Sequence, residues 1–224
     1  MSSKLIFIDT ETTGRNPELN AIVQIGMIVD IDYQTKMSTS WTVRPHPDAV
    51  IEDEALQVHG FSREQIAAFD DPAKVHREMV SVLKQFIDQY RRSDKAFMCA
   101  YNGRFDMDFL RKFFYRCGDN YFGSFFRVGV IDPMLMLPWM VDGGLLPVPS
   151  DFKLITVCRM FRIDLAEAAH DAMADIVATR ELYYRMRNIL FAVPPGSKLD
   201  RDYVAGAIAN LEVFRIGEKV EVAR

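Results

Sequence analysis

The 224-residue chain lacks any apolar run near the roughly twenty residues that a membrane-spanning helix needs, so no membrane partner is expected. Its opening, "MSSKLIFID", meets an acid after only four apolar residues, unlike the hydrophobic stretch of a signal peptide. Cysteine is scarce. Cys99, Cys117 and Cys158 are odd in number and show no C-x-x-C spacing, which speaks against a disulfide framework. They read as reduced thiols packed as small apolar groups, and a cytoplasmic setting is expected. An excess of positive charge is missing as well: 27 basic residues stand against 31 acidic ones, a net charge of −4. A protein that coats nucleic acid through basic patches is thereby excluded. There is no internal repeat and no low-complexity linker.

What remains is ordinary in bulk and unusual in detail. Hydrophobic residues make up 49% and charged residues 26%, which suits one large domain or one domain with a small appendage. The stretch "KLIFIDTETTG" begins with the unbroken apolar run Leu5–Ile8, the mark of a strand buried on both faces. Asp9 and Glu11 follow at a spacing of two, so both carboxylates leave one face of that strand about 7 Å apart. Such a pair is costly unless something positive sits between them.

Strands are expected over 4–10, 21–31 and 38–43, as antiparallel neighbours in sequence. Residues 70–90 read as a helix, with Val75, Met79, Val82, Leu83, Phe86 and Ile87 at helical spacing. A short strand over 96–101, a helix over 104–117, a strand over 128–132, a Gly/Pro-rich loop over 142–151 and a long helix over 170–190 follow. Strands first, then strand and helix alternating, predict an α/β fold with a mixed sheet and helices on its faces. After residue 190 the composition changes. Residues 191–224 read as an appendage, with a short helix over 198–210 and a hairpin turning at Gly217.

Polar groups recur where strands give way to helices. In "YNGRFDMDFL", Asp108 has Arg111 and Lys112 at i+3 and i+4 and belongs to a solvated face. Asp106 has Phe109 and Leu110 at those offsets, so it faces the protein and needs a partner. Asp175 is flanked by Ala172, Ala178 and Thr179, small residues that let a helix approach another surface closely. Asp171 suits an N-cap or first-turn acid. His170 lies five residues before Asp175, off its helix face and at the helix mouth. Alone it would be a capping or surface residue; beside gathered carboxylates it is a candidate proton acceptor.

Acids converging in this way repel by several kcal/mol at about 4 Å and intermediate dielectric, and bound cations are one escape. Oxygen-only ligands suit Mg²⁺ or Mn²⁺. Two such ions about 4 Å apart clamp both sides of a phosphodiester undergoing in-line displacement. With four acids assigned to metal, the remaining charges balance at 27 each, so an acidic total is compatible with a phosphate substrate.

In order along the chain, "DTETTG" (9–14), "YNGRFD" (101–106) and His170-x4-Asp175 resemble the DEDDh family of 3′–5′ exonucleases. That family includes the proofreading subunit of bacterial DNA polymerase III, RNase T and oligoribonuclease. "YNGRFDMDFLRKFFYR" and "AHDAMADIVAT" look like the nuclease domain of bacterial exonuclease I, and "VHGFS" (58–62) is similar to a His-Gly segment of the family. The resemblance runs from about residue 4 to 190 and implies an RNase H-like fold with a five-stranded mixed β-sheet flanked by helices, in a domain spanning 1–190. It implies metal ligands at Asp9, Glu11, Asp106 and Asp175, two Mg²⁺ or Mn²⁺ ions, and His170 as general base. The backbone at Thr12, Thr13 and Gly14 would lie against the terminal nucleotide, flanked by Asn102 and Phe105. His59 is either a contact to sugar or base or a loop-stabilising histidine.

The implied activity is release of nucleoside monophosphates from the 3′ end of DNA, single-stranded by expectation, with RNA as the alternative substrate of an RNase T or oligoribonuclease type. A polymerase partner or a homodimer is compatible with the resemblance. A non-catalytic module that binds nucleic acid or a polymerase is the remaining class, and the complete set of four acids and a histidine argues against it.

Overall fold

The computed structural model describes residues 3–165, 171–191 and 201–215. Three strands open the fold: β1 (Lys4–Thr12), β2 (Ile22–Ile31) and β3 (Gln34–Thr42). A two-residue turn joins β2 to β3, with Asp32 and Tyr33 at φ 50° and 66°, the left-handed pair that matches strand twist in a hairpin. Then come α1 (Asp53–His59), α2 (Arg63–Ala67), α3 (Pro72–Phe86), β4 (Ala96–Cys99), α4 (Arg104–Arg116), α5 (Phe122–Phe125) and β5 (Phe126–Ile131). The rest is α6 (Pro133–Asp142), α7 (Leu154–Met160), β6 (Ile163–Asp164), α8 (Ala172–Phe191), α9 (Arg201–Ala209) and β7 (Phe214–Arg215).

The main sheet runs β3-β2-β1-β4-β5. β1, β2 and β3 are antiparallel neighbours, while β1–β4 and β4–β5 are parallel. This is the mixed five-stranded sheet expected from the sequence. The helices over α3, α4 and α8 also fall where periodicity placed them. Helix α6 was not anticipated: "PMLMLPWMVD" is apolar almost all round and contains Pro138, so no stripe betrays it. On the C-terminal side, α9 falls within 198–210. β7 pairs in parallel with β6, and the expected hairpin turning at Gly217 lies outside the described residues.

Alternation along β1 divides the core. Ile6 and Ile8 point to one face and pack with Ile25, Met27 and Val29 beneath α3 and α4. Leu5 and Phe7 point to the other and meet Ile28, Cys99, Ile176 and Tyr183 beneath α8. A further cluster joins α6, α7, α8 and α9 through Leu137, Met140, Cys158, Leu182 and Val204. Among the described residues no helix is long and apolar enough to cross a membrane.

One buried charge ties α8 across the sheet. Asp30 is fully buried and accepts hydrogen bonds from Arg180 Nε at 2.8 Å, Tyr184 OH at 2.5 Å and Thr35 Oγ1 at 2.9 Å. Asp30→Ala takes the shared acceptor from Arg180, Tyr184 and Thr35, and the expected cost is about 3 kcal/mol of stability, read by urea unfolding. A loss below about 0.5 kcal/mol would show that this pair does not anchor α8.

Candidate active site

β4 accompanies β1 only as far as Phe7, whose partner is Cys99. Beyond that point the edge of β1 is open, and a side chain replaces the missing strand. Asp106 Oδ1 accepts the Thr10 backbone N–H at 2.9 Å and the Thr10 hydroxyl at 2.8 Å. Asp106 is brought there by the turn that ends β4. Asn102 sits at φ 56°, a left-handed position that asparagine tolerates. Gly103 is required by space, since a Cβ there would lie 2.6 Å from Val130 Cγ1. Buried Asp132 holds this turn, accepting the N–H groups of Asn102 at 3.1 Å and Gly103 at 3.0 Å, and it caps α6 through Met134 N at 2.9 Å. Sequence reasoning missed Asp132. The signal was the Asp-Pro step between strand and helix, an N-cap followed by proline at the first helical position.

Asp9 and Glu11 share the face of Leu5 and Phe7, so they look toward α8. There Asp175 completes a trio: one carboxylate oxygen from each of Asp9, Glu11 and Asp175 lies within 4.8 Å of the others. Close approach of α8 depends on Gly26, the cross-strand partner of Asp9. A Cβ on Gly26 would sit 2.9 Å from the Ala172 carbonyl oxygen. Gln24, opposite Glu11, accepts the Ala172 N–H at 3.4 Å. Asp171 takes the expected capping role, accepting the Met173 N–H at 2.8 Å. His170 lies outside the described residues. Asp108 is ion-paired on the surface, with Arg104 rather than with Arg111 or Lys112.

A cleft of ≈ 780 Å³ opens beside the carboxylates, and Thr12, Gly14, His59, Asn102 and Phe105 all line it, together with Glu11. Thr13 does not. It is fully buried, with its N–H donated to Ala21 O at 2.8 Å and its hydroxyl to Val50 O at 2.7 Å. Its polar groups are spent on holding the loop against Ala21 and Val50. Gly14 lies so close to Asn20 and Glu52 that a Cβ would come within 2.5 Å of either. His59 is also settled in part: its Nδ1 accepts the Phe61 N–H at 3.1 Å, which makes Nε2 the protonated nitrogen of the neutral ring. Nε2 is buried and has no protein partner. The histidine thus steadies its loop through one nitrogen and leaves a donor at the other.

Residues 6–183 match the family model described as Exonuclease (RNase_T). The chain belongs to this family. Together with its ordered acids and histidine, that makes it a member of the DEDDh-type 3′–5′ exonucleases. A DNA polymerase III subunit epsilon-like protein of Rhodobacter capsulatus is 28% identical over 187 residues, covering 82% of this chain and 24% of that relative. Two structures of E. coli exonuclease I share the fold. One, in complex with a dT13 oligonucleotide, has a TM-score of 0.66 at 21% identity and covers 83% of this chain and 42% of that one. The other, a zinc-bound complex with single-stranded DNA, has a TM-score of 0.67 at 21% identity over 84% and 44%. The exonuclease-family chain therefore spans about a quarter of the curated relative and under half of exonuclease I.

The donor set fits a hard divalent cation, being all carboxylate oxygen in a partly buried spot. Its electrostatics say the same. Burial, then the charges of Asp106, Asp175, Glu11 and Asp171, hold the Asp9 carboxyl well above the usual range. Burial and the charges of Asp175, Asp106 and Asp171 push Glu11 up to about 8. Asp106 rises to about 7 through burial, although the two Thr10 hydrogen bonds pull the other way. Without cations, the folded state binds these protons more tightly than the unfolded state does. Stability should therefore fall as pH rises from about 4.5 to about 8, the ordinary and shifted values of Glu11. Melting temperatures measured in EDTA across that window should decline, less so for Glu11→Gln, and Mn²⁺ should flatten the decline. A slope in EDTA unaffected by either change would contradict this electrostatic account.

Proposed function

We propose that this exonuclease-family chain hydrolyses phosphodiester bonds at the 3′ end of DNA, preferring a single strand and releasing nucleoside monophosphates. The observation that supports it most is the meeting of Asp9, Glu11 and Asp175 within 4.8 Å beside a cleft large enough for one nucleotide. Two Mg²⁺ or Mn²⁺ ions would be held by these three residues and by Asp106, whose Oδ2 is not used by Thr10. When bound, the ions neutralise the carboxylates and assist attack on the phosphate and departure of the 3′ oxygen.

The chain's own groups do the rest. Phe105, Asn102, Thr12 and Gly14 all line the cleft that would take the terminal nucleotide. His59 lines the cleft, and its unpartnered Nε2–H, buried as the site stands, is the donor that would turn to sugar or base on binding. His170, adjacent in sequence to the cap of α8, accepts the proton of the attacking water at an imidazole nitrogen. Preference for a single strand follows from enclosing one unpaired terminal nucleotide against an aromatic side chain. The E. coli exonuclease I complexes, which hold single-stranded oligonucleotides, support that choice over RNA.

Matched 5′-labelled single-stranded DNA, duplex DNA and RNA, digested with Mn²⁺, test the assignment. A ladder growing from the 3′ end is expected, fastest on single-stranded DNA; faster loss of RNA would transfer the substrate to ribonucleic acid. Asp9→Asn and Asp175→Asn should each lower the rate by about 10³-fold with the fold intact. His170→Ala should lower kcat by about 10²-fold or more while Mn²⁺ affinity stays unchanged. Retained activity in the Asp variants would remove the metal-site assignment, and weakened Mn²⁺ binding in His170→Ala would make the histidine a ligand.

A further inference from the structure

We infer that residues 201–215 are a positioning element of the carboxylate site, acting on Asp175 through the side of α8 that faces away from the sheet. The inference rests on the metal-site reading above. Helix α8 is buried on two sides. Ile176 and Tyr183 pack on the sheet, whereas Ala178, Leu182, Met186 and Ile189 enter a separate core with Phe161, Ile163 and Leu165. Ala178 follows Asp175 by three residues, so the wall that this second core presses on is the wall next to the acid.

The C-terminal segment completes that core. Val204 is fully buried in it, and Ala207 and Ile208, at i+3 and i+4, pack against it. β7 pairs with β6, Phe214 opposite Ile163 and Arg215 opposite Asp164. The turn between α7 and β6 is thus gripped twice. Arg185 of α8 donates Nη1 to the Phe161 carbonyl at 2.7 Å, and Arg162 donates Nη1 to the Leu211 carbonyl at 3.4 Å. On the opposite side the start of α8 rests on Gly26, at a separation with no room for one methyl group. A helix confined between a backbone contact and a packed core has little freedom to shift its acid. Displacement near 1 Å in such a site costs about 10²-fold in rate. A segment serving stability alone would instead affect activity no more than any other part of the core.

Two valine truncations separate these roles. Val204 belongs to the second core and Val75 to the first, beneath α3, and both are fully buried. Val204→Ala and Val75→Ala should lower the melting temperature by similar amounts. Only Val204→Ala should weaken Mn²⁺ binding, about fivefold by calorimetry against an Asp175→Asn baseline. It should also lower kcat about tenfold, with KM for a single-stranded oligonucleotide changed less than twofold. Arg162→Gly is a second probe, since Arg162 is exposed at φ 58°, where glycine is at ease, and the change removes the contact to Leu211 without disturbing the core. It should shift Mn²⁺ affinity and kcat in the same direction.

Equal effects of the two valine variants on Mn²⁺ affinity, or no effect of Val204→Ala and Arg162→Gly, would overturn the inference. Should the unaltered chain bind Mn²⁺ yet digest no nucleic acid, the nuclease reading alone would fail. The Mn²⁺ affinities would still decide the positioning role.

Discussion

Like charges held together at the open end of β1 are the constraint around which this molecule is arranged. Asp9, Glu11, Asp106 and Asp175 come from three separate elements, and each raises the cost of ionising its neighbours. Nothing in their mutual interaction brings them together. Only the packing of α4 and α8 against the sheet does so, and that packing must absorb the repulsion whenever no cation is present. The sheet supplies the geometry: an even position, Thr10, engages Asp106 from the α4 side, while the odd positions present Asp9 and Glu11 to α8.

The devices that enforce this convergence are small residues and buried hydrogen bonds. Gly26 lets the Ala172 backbone approach β2, and Gly103 lets the turn before α4 pass Val130 and Ala100. Asp132 collects three backbone N–H groups and so fixes both the Asn102 turn and the start of α6. Asn20, fully buried, donates to Val50 O at 2.9 Å and to Glu52 Oε1 at 3.1 Å, locking the loop that carries Gly14. None of these groups needs to touch a substrate. Each reduces the freedom of a group that would, which is how a fold prepares charge before a ligand arrives.

Much of this was legible before any coordinates. The unbroken run Leu5–Ile8 identified a doubly buried strand, and the period-two spacing of Asp9 and Glu11 gave their shared face. Offsets of three and four residues separated inward Asp106 from outward Asp108. Other parts lay beyond local pattern. Thr13 sits in the same motif as Thr12 and Gly14, yet its side chain turns inward because its hydroxyl donates to Val50 O, distant in sequence, and accepts the Ala21 N–H. Gly26 reads as an ordinary strand residue, and its meaning comes from a helix that begins about 150 residues later. Val204 reads as part of an appendage, because nothing in its neighbourhood shows that Phe161, Ile163 and α8 leave a core for it to fill.

The central claim is that divalent cations take the place of protons on crowded carboxylates. Calorimetric titration of Mn²⁺ at pH 7, repeated in buffers of different ionisation enthalpy, tests it most directly. With Glu11 at about 8 and Asp106 at about 7, cation binding should release about one proton or more, and the apparent enthalpy should change with the buffer accordingly. Binding with no proton released, or no binding at all, would contradict the account.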